Sequence, residues 1–161
     1  MLFDLLIDGT LRTNLEETGM GFEHEIDCIA AAHELGLLTT PYAFDPEQSR
    51  RLAKAGADIV VAHMGLTTTG SIGAKTAKSL DDCVREVTEI AQAGKAVRGD
   101  LLVLCHGGPI ASPDDAQFIL DRVRDVDGFY GASSMERLPT ELAIAQQVRN
   151  FMGLKLGATK S

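Results

Sequence analysis

A chain of 161 residues that is 45% hydrophobic is long enough for one domain with a buried core. Its net charge of −8 argues against nucleic acid or an anionic membrane surface as the main partner, because long-range repulsion must be overcome first. A small anion stays open, since backbone amides and one or two cations can set the local potential.

Apolar runs fall far short of a membrane span, and the first eight residues carry two Asp and no basic flank, unlike a signal peptide. Cys28, Cys83 and Cys105 are odd in number and lack metal-type spacing, as expected for reduced thiols in a cytoplasmic protein.

In chain order, residues 5–7 look like the end of a strand running into a polar loop over 8–21. A strand so near residue 1 suggests that something belongs before it. Residues 23–35 form a helix with Ile26, Ile29, Ala30 and His33 on one face, stopped by Gly36. Residues 37–44 are the next strand, and Asp45-Pro46 caps a short helix ending at Gly56. Residues 58–64 are a strand of continuous apolar character, as when both faces are buried. Ser79-Leu80-Asp81-Asp82 caps a long helix to about residue 97, with Leu80, Val84, Val87 and Ala91 on one side.

A strand over 101–105 opens into His106-Gly107-Gly108-Pro109, and Ser112-Pro113-Asp114-Asp115 starts a helix. A further strand over 129–132 opens into the polar loop Ser133-Ser134-Met135-Glu136-Arg137. The last helix, 139–152, places Ile144, Val148, Phe151 and Met152 inward, and 153–161 frays. Residues 1–152 thus read as one α/β domain. Strict strand–helix alternation means a parallel sheet with crossover helices. It fits a five-stranded flavodoxin-like open sheet, or the last part of a (β/α)8 barrel, which needs about 250 residues when whole.

Ligands in such folds sit beyond the carboxyl ends of the strands, which directs attention to the loops there. His63 and His106 each close an apolar strand and are candidate acids or bases, imidazole titrating near neutrality. Alternation puts His106 on the face of Leu102 and Leu104, with Cys105 and Val103 opposite, so Cys105 and His106 form no direct catalytic pair. Gly107-Gly108 would leave a ligand room.

The 65–76 loop departs from the Walker pattern, since Ser71-Ile72 follow Gly70. Its Thr67, Thr68, Gly70, Ser71 and Gly73 could cradle an anion; otherwise it is a long connection. Glu17 and Glu136 are loop carboxylates able to move a proton or hold a cation. His24 and His33 read as structural, and Asp81, Asp82, Asp114 and Asp115 as capping charges.

The stretches NLEETGMGF, LLTTPYAF, AHMGLTTTGSIGAKTA, VLCHGGPIASPDDA and FYGASSMERLPTE resemble the phosphoenolpyruvate hydrolase-like TIM-barrel family. That barrel also occurs fused to a second domain in plant tobamovirus-resistance proteins. The resemblance implies a (β/α)8 barrel without its N-terminal part, the strands present being the fourth to the eighth. His106-Gly107-Gly108 then follow strand seven and Ser133-Ser134 strand eight, the usual phosphate position.

It further implies an enzyme hydrolysing or cleaving a small phosphorylated or carboxylated acid of the phosphoenolpyruvate type. Gly107, Gly108, Ser133 and Ser134 would bind the anion, with the 67–73 loop closing over it. His106 would transfer the proton and His63 polarise the substrate, with Glu17 or Glu136 assisting or holding Mg²⁺. The alternative is a non-catalytic ligand-sensing or protein-interaction barrel. In either case the open sheet edge calls for a homo-oligomer or a missing barrel segment.

Overall fold

The computed structural model describes residues 9–66, 78–136 and 140–154. They fall in two compact units, Met1–Gly131 and Ala132–Ser161. The strand expected over 5–7 and most of the 65–76 loop lie outside the described residues.

The first unit starts with helix α1 (Gly9–Glu17), where a polar loop was expected. Its sequence GTLRTNLEE lacks an apolar repeat, so the pattern was silent, yet Leu, Arg and Glu are good helix formers. Gly19 at φ +77 ends it, and the Met20 amide bonds back to the Leu15 carbonyl at 2.8 Å. Helix α2 (Glu23–Glu34) buries Ile29 and closes with Gly36 at φ +69, the Leu37 amide reaching the Ala32 carbonyl. His33 does not join its inner face and is exposed.

Strand β1 (Tyr42–Ala43) is much shorter than the expected 37–44. Leu37 and Leu38 are exposed, and the backbone at Thr39 is tied to an aspartate, Asp58, instead of a full ladder. Helix α3 (Pro46–Lys54) starts as read, Asp45 accepting the Gln48 amide at 2.8 Å. Then come strand β2 (Ile59–His63), helix α4 (Leu80–Lys95), strand β3 (Leu102–His106), helix α5 (Pro113–Leu120) and strand β4 (Gly128–Phe129). Both long-predicted starts are reciprocal capping boxes, Ser79 with Asp82 and Ser112 with Asp115.

Among the described residues, four strands form one parallel sheet in the order β1-β2-β3-β4. Alternation sorts its side chains. Ala43, Val60, Ala62, Val103 and Cys105 enter one core cluster with Leu52 of α3, Val87 and Ile90 of α4 and Ile119 of α5. The opposite face carries Ile59, Val61, Leu102 and Leu104, none of them in that cluster, and Leu102 is 47% exposed. Over Val60–His63 both faces are buried, as expected for that strand, Val61 being fully enclosed; the exposed Leu102 lies at the start of β3.

Helices α3 and α4 approach closely because small residues meet. The buried Ser49 hydroxyl donates to the Ile90 carbonyl at 2.8 Å, and a Cβ on Gly94 would lie 2.6 Å from both Ser49 Oγ and Leu101 Cδ2.

Two aspartates, each one residue ahead of a strand, fasten the other end of the sheet. Asp58 accepts the Thr39 amide at 2.9 Å and its hydroxyl at 3.0 Å, and this pairing holds the carboxyl below its usual range. Asp127 accepts the Val103 amide at 2.8 Å and pairs with Lys95 at 3.0 Å.

The second unit holds a helical turn, α6 (Ser133–Glu136), where a polar loop was expected, and helix α7 (Thr140–Met152). Ile144, Val148, Phe151 and Met152, expected to point inward, are exposed, Met152 by 79%. The apolar repeat is present, but the helix finds no apolar cover within its own unit among the described residues.

Asp127→Ala should lower unfolding free energy by about 1–3 kcal/mol, because the buried Val103 amide loses its acceptor. Urea titration of Asp127→Ala beside Asp127→Asn, which keeps an acceptor oxygen, reads this directly; equal midpoints would assign no weight to the bond.

Candidate functional site

Parallel pairing sets β2 and β3 in register over their full length, with His63 level with His106 at the carboxyl rim. Both point to the face opposite the helix core, since Val60, Ala62, Val103 and Cys105 occupy that core. Their ring centroids are 4.8 Å apart and the planes meet edge to face. Tyr42 of β1 stacks on His106 at 5.4 Å and touches His63 at 4.8 Å. Phe44 and Tyr130 close the ring cluster, at 5.0 Å from His63 and 5.8 Å from His106.

Hydrogen bonds assign the two imidazoles opposite tautomers. His63 Nδ1 accepts the Gly65 amide at 3.0 Å, so the neutral ring carries its proton on Nε2. His106 Nδ1 lies 2.6 Å from the Tyr130 carbonyl, an acceptor, so Nδ1 donates and Nε2 keeps a lone pair. One ring therefore offers a donor and its neighbour a base.

Both are buried, His63 at 5% exposure and His106 at 9%. Burial pulls His63 down from the ordinary imidazole value to about 4, and the neighbouring His106 adds to the shift. Burial likewise lowers His106, opposed by its bond to the Tyr130 carbonyl. The pair is neutral at pH 7. Cys105 faces the helix core, and burial pushes its thiol up to about 11, which leaves it inert as a nucleophile.

The glycines after β3 have a more specific task than leaving room. Gly107 and Gly108 sit at φ +77 and +59. A Cβ on Gly107 would lie 2.5 Å from the Gly65 carbonyl oxygen, and one on Gly108 2.5 Å from that of Met64. The Gly108 amide donates to the Gly65 carbonyl at 2.7 Å, so it is committed to the neighbouring loop.

The structure thus brings His63, His106, Gly107 and Gly108 together. Glu17 is exposed at the end of α1 and makes none of these ring contacts. Ser134 lies in α6 of the second unit with a buried hydroxyl that has no hydrogen-bond partner among the described residues, and the side chains of Ser133 and Glu136 lie outside them. Thr67, Thr68, Gly70, Ser71 and Gly73 also lie outside them.

Among the described residues, no three His, Cys, Asp or Glu side chains group as metal ligands. The Mg²⁺ expectation therefore finds no donor set here, and no step below passes through a metal. Sequence reasoning missed Tyr42, Phe44 and Tyr130; the signal was an aromatic at the end of each flanking strand, in PYAF and GFYG. A cleft of about 290 Å³ lined by His33, Leu38 and Asp58 lies at the start of β2, the opposite end of that strand from His63.

A family model described as phosphoenolpyruvate hydrolase-like matches residues 5–154. The chain belongs to this family. It is 58% identical over 151 residues to the ToMV resistance protein Tm-1(GCR237) of Solanum lycopersicum, covering 94% of this chain and 20% of the relative. The ToMV susceptible protein tm-1(GCR26) of the same plant matches with the same identity and coverage. The chain thus spans about a fifth of the length of these relatives. Among solved structures, a nitroalkane oxidase from Streptomyces ansochromogenes is 26% identical at a TM-score of 0.43, over 66% of this chain and 30% of that one. No described helix of this family member is long and apolar enough to cross a membrane.

Two outcomes follow from the rim geometry. Gly108→Ala should cost about 1–3 kcal/mol through strain at a positive φ and the close approach to Met64, measured as a lowered denaturant midpoint. His63 binds its proton more weakly folded than unfolded, so its contribution is complete above about pH 6.5 and is lost as pH falls towards 4. The loss is on the order of 3 kcal/mol, and thermal unfolding of His63→Gln should show a shallower fall over that window; parallel curves would refute it.

Proposed function

We propose that this chain carries part of a (β/α)8 barrel whose carboxyl rim performs proton transfer on a small phosphoenolpyruvate-type acid. The reading rests on one observation above all: two buried, neutral histidines of opposite tautomer, level with each other on adjacent parallel strands. His106 is the proton-transfer group through Nε2, and His63 polarises a substrate oxygen through its Nε2–H.

The sequential strand order supports a barrel wall, since a flavodoxin-like sheet separates its first-crossing strands. The face carrying Val61, Leu104 and the two histidines would then line the barrel interior. The Gly107 backbone remains an anion-binding candidate beside the two histidines. A homo-oligomer or an N-terminal barrel segment would complete the sheet.

A second reading is a ligand-sensing or protein-interaction domain without turnover. It is favoured by the company the segment keeps, one long relative being named a resistance protein and another a susceptible one.

Incubation with phosphoenolpyruvate should release phosphate and pyruvate, and His106→Ala should lower kcat at least 100-fold while changing ligand affinity little. An unchanged kcat removes His106 from the mechanism. Thermal stabilisation by phosphoenolpyruvate without any product would establish the non-catalytic reading instead.

A further inference from the structure

The two rim histidines are uncharged, and in a chain of net charge −8 they cannot by themselves draw in an anion. We propose that Lys78 seats the anionic end of a small acid at this rim, and that Glu86 holds its ammonium until the acid displaces it. This rests on the reading of the rim as the site for a phosphorylated or carboxylated acid, and it names the cation that recognises the acid.

The order of the elements puts Lys78 at the right end of the sheet. Strand β2 ends at His63, and helix α4, which follows it, opens with Ser79 as its cap. In a strand–helix unit the helix starts beside the carboxyl end of its strand. Lys78, one residue ahead of that cap, therefore stands at the rim. The two residues also feel each other. Burial is the main cause of the low His63 value, the neighbouring His106 comes next, and the Lys78 ammonium adds to them.

In the resting chain the Lys78 ammonium bonds the Glu86 carboxylate, further along α4. The pair is open to water, with 45% of the Lys78 and 28% of the Glu86 side chain exposed. A pair of this kind adds little to folding, because water screens it and two long side chains must be held still. Arg85 differs, since its guanidinium closes on Asp82, a member of the capping box that starts the helix.

A carboxylate resting on an ammonium is also what a bound acid would look like. Lysine carries three donors on a flexible stem, so it can exchange one carboxylate for another, or for a phosphate, without moving the backbone. An incoming group outcompetes Glu86 when it bears two charges or makes a second bond at the rim. His63 supplies that second bond, because its Nδ1 accepts the Gly65 amide and its Nε2–H is the donor left over. An acid with its anion on Lys78 and another oxygen at His63 is then held at two points.

Calorimetric titration of the full chain with phosphoenolpyruvate, inorganic phosphate and pyruvate tests this. Lys78→Met should weaken phosphoenolpyruvate binding by about tenfold, the loss of one charge-assisted contact, and Lys78→Arg should restore most of it. The same loss with phosphate or with pyruvate shows which end of the acid Lys78 takes. Glu86→Gln should have the opposite sign and tighten binding by about threefold, because the competitor is gone. Adding Glu86→Gln to Lys78→Met should change nothing further, since both act through one ammonium. His63, followed by NMR, should titrate higher in Lys78→Met than in the unaltered chain, which a purely structural surface pair would not produce. Thermal unfolding checks that each variant is folded.

Product formation from phosphoenolpyruvate is assayed in parallel. Binding that depends on Lys78 without any product supports the inference and removes the enzymatic reading. Product formed with the same KM in Lys78→Met as in the unaltered chain overturns the inference and leaves that reading standing. No binding of any of the three compounds, or a loss in Glu86→Gln equal to that in Lys78→Met, also overturns it.

Discussion

Everything at the rim depends on how the chain leaves β2 and β3. The Met64 amide donates to the His106 carbonyl at 2.8 Å, and the Gly108 amide donates to the Gly65 carbonyl at 2.7 Å. These bonds extend the parallel pairing two residues past the strands and bring the loop backbones too close for any Cβ at 107 or 108. The same crossing places the Gly65 amide on His63 Nδ1. One local backbone arrangement therefore fixes the direction of both loops and one of the two tautomers. The second tautomer is fixed by β4, whose following residue, Tyr130, presents its carbonyl to His106 and donates its amide to Cys105. No other side chain is needed to set the protons, so the pair's chemistry is a property of the sheet.

Alternation explains why the histidines stay neutral. They share a sheet face with Ile59, Val61, Leu102 and Leu104, and aromatic rings close over them. An imidazolium there would lose hydration without gaining an anion, which is the physical content of the lowered His63 and His106 values. The opposite face, through Val103 and Cys105, carries the packing that stabilises the unit. Work is thus divided between faces of the same strands.

Local chemistry was legible in the sequence and tertiary partnership was not. Asp45, Ser79 and Ser112 were readable as helix starts because a cap is a contact within three residues, and each makes it. His63 and His106 were legible as strand-end residues because an apolar run stops at a polar group. Helix α1 was not, since GTLRTNLEE folds without an apolar stripe to announce it. The two leucines at 37–38 mimicked a strand, yet both are exposed. The stripe of α7 was read correctly as a stripe, but a pattern marks a face without naming its cover. Tyr42 and Tyr130 escaped notice because their importance comes from register, Tyr42 through Val61 and Tyr130 through the residue beside Cys105.

The closeness of the two imidazoles has a consequence for the proposed step that a lone histidine would not share. Each disfavours charge on the other, and the coulombic effect of His106 on His63 is among the causes of the low His63 value. When His106 takes a proton it becomes a cation 4.8 Å from its neighbour's ring centre. That charge makes the His63 Nε2–H more acidic at the moment the substrate oxygen gains electron density. Negative charge on that oxygen in turn offsets the imidazolium, which has no counter-ion among the rings around it. Removal of the proton and stabilisation of the oxygen therefore reinforce each other, and the low dielectric that keeps the resting pair neutral is what makes the reinforcement strong. Separating the rings, or giving them the same tautomer, would remove the coupling while leaving both histidines in place.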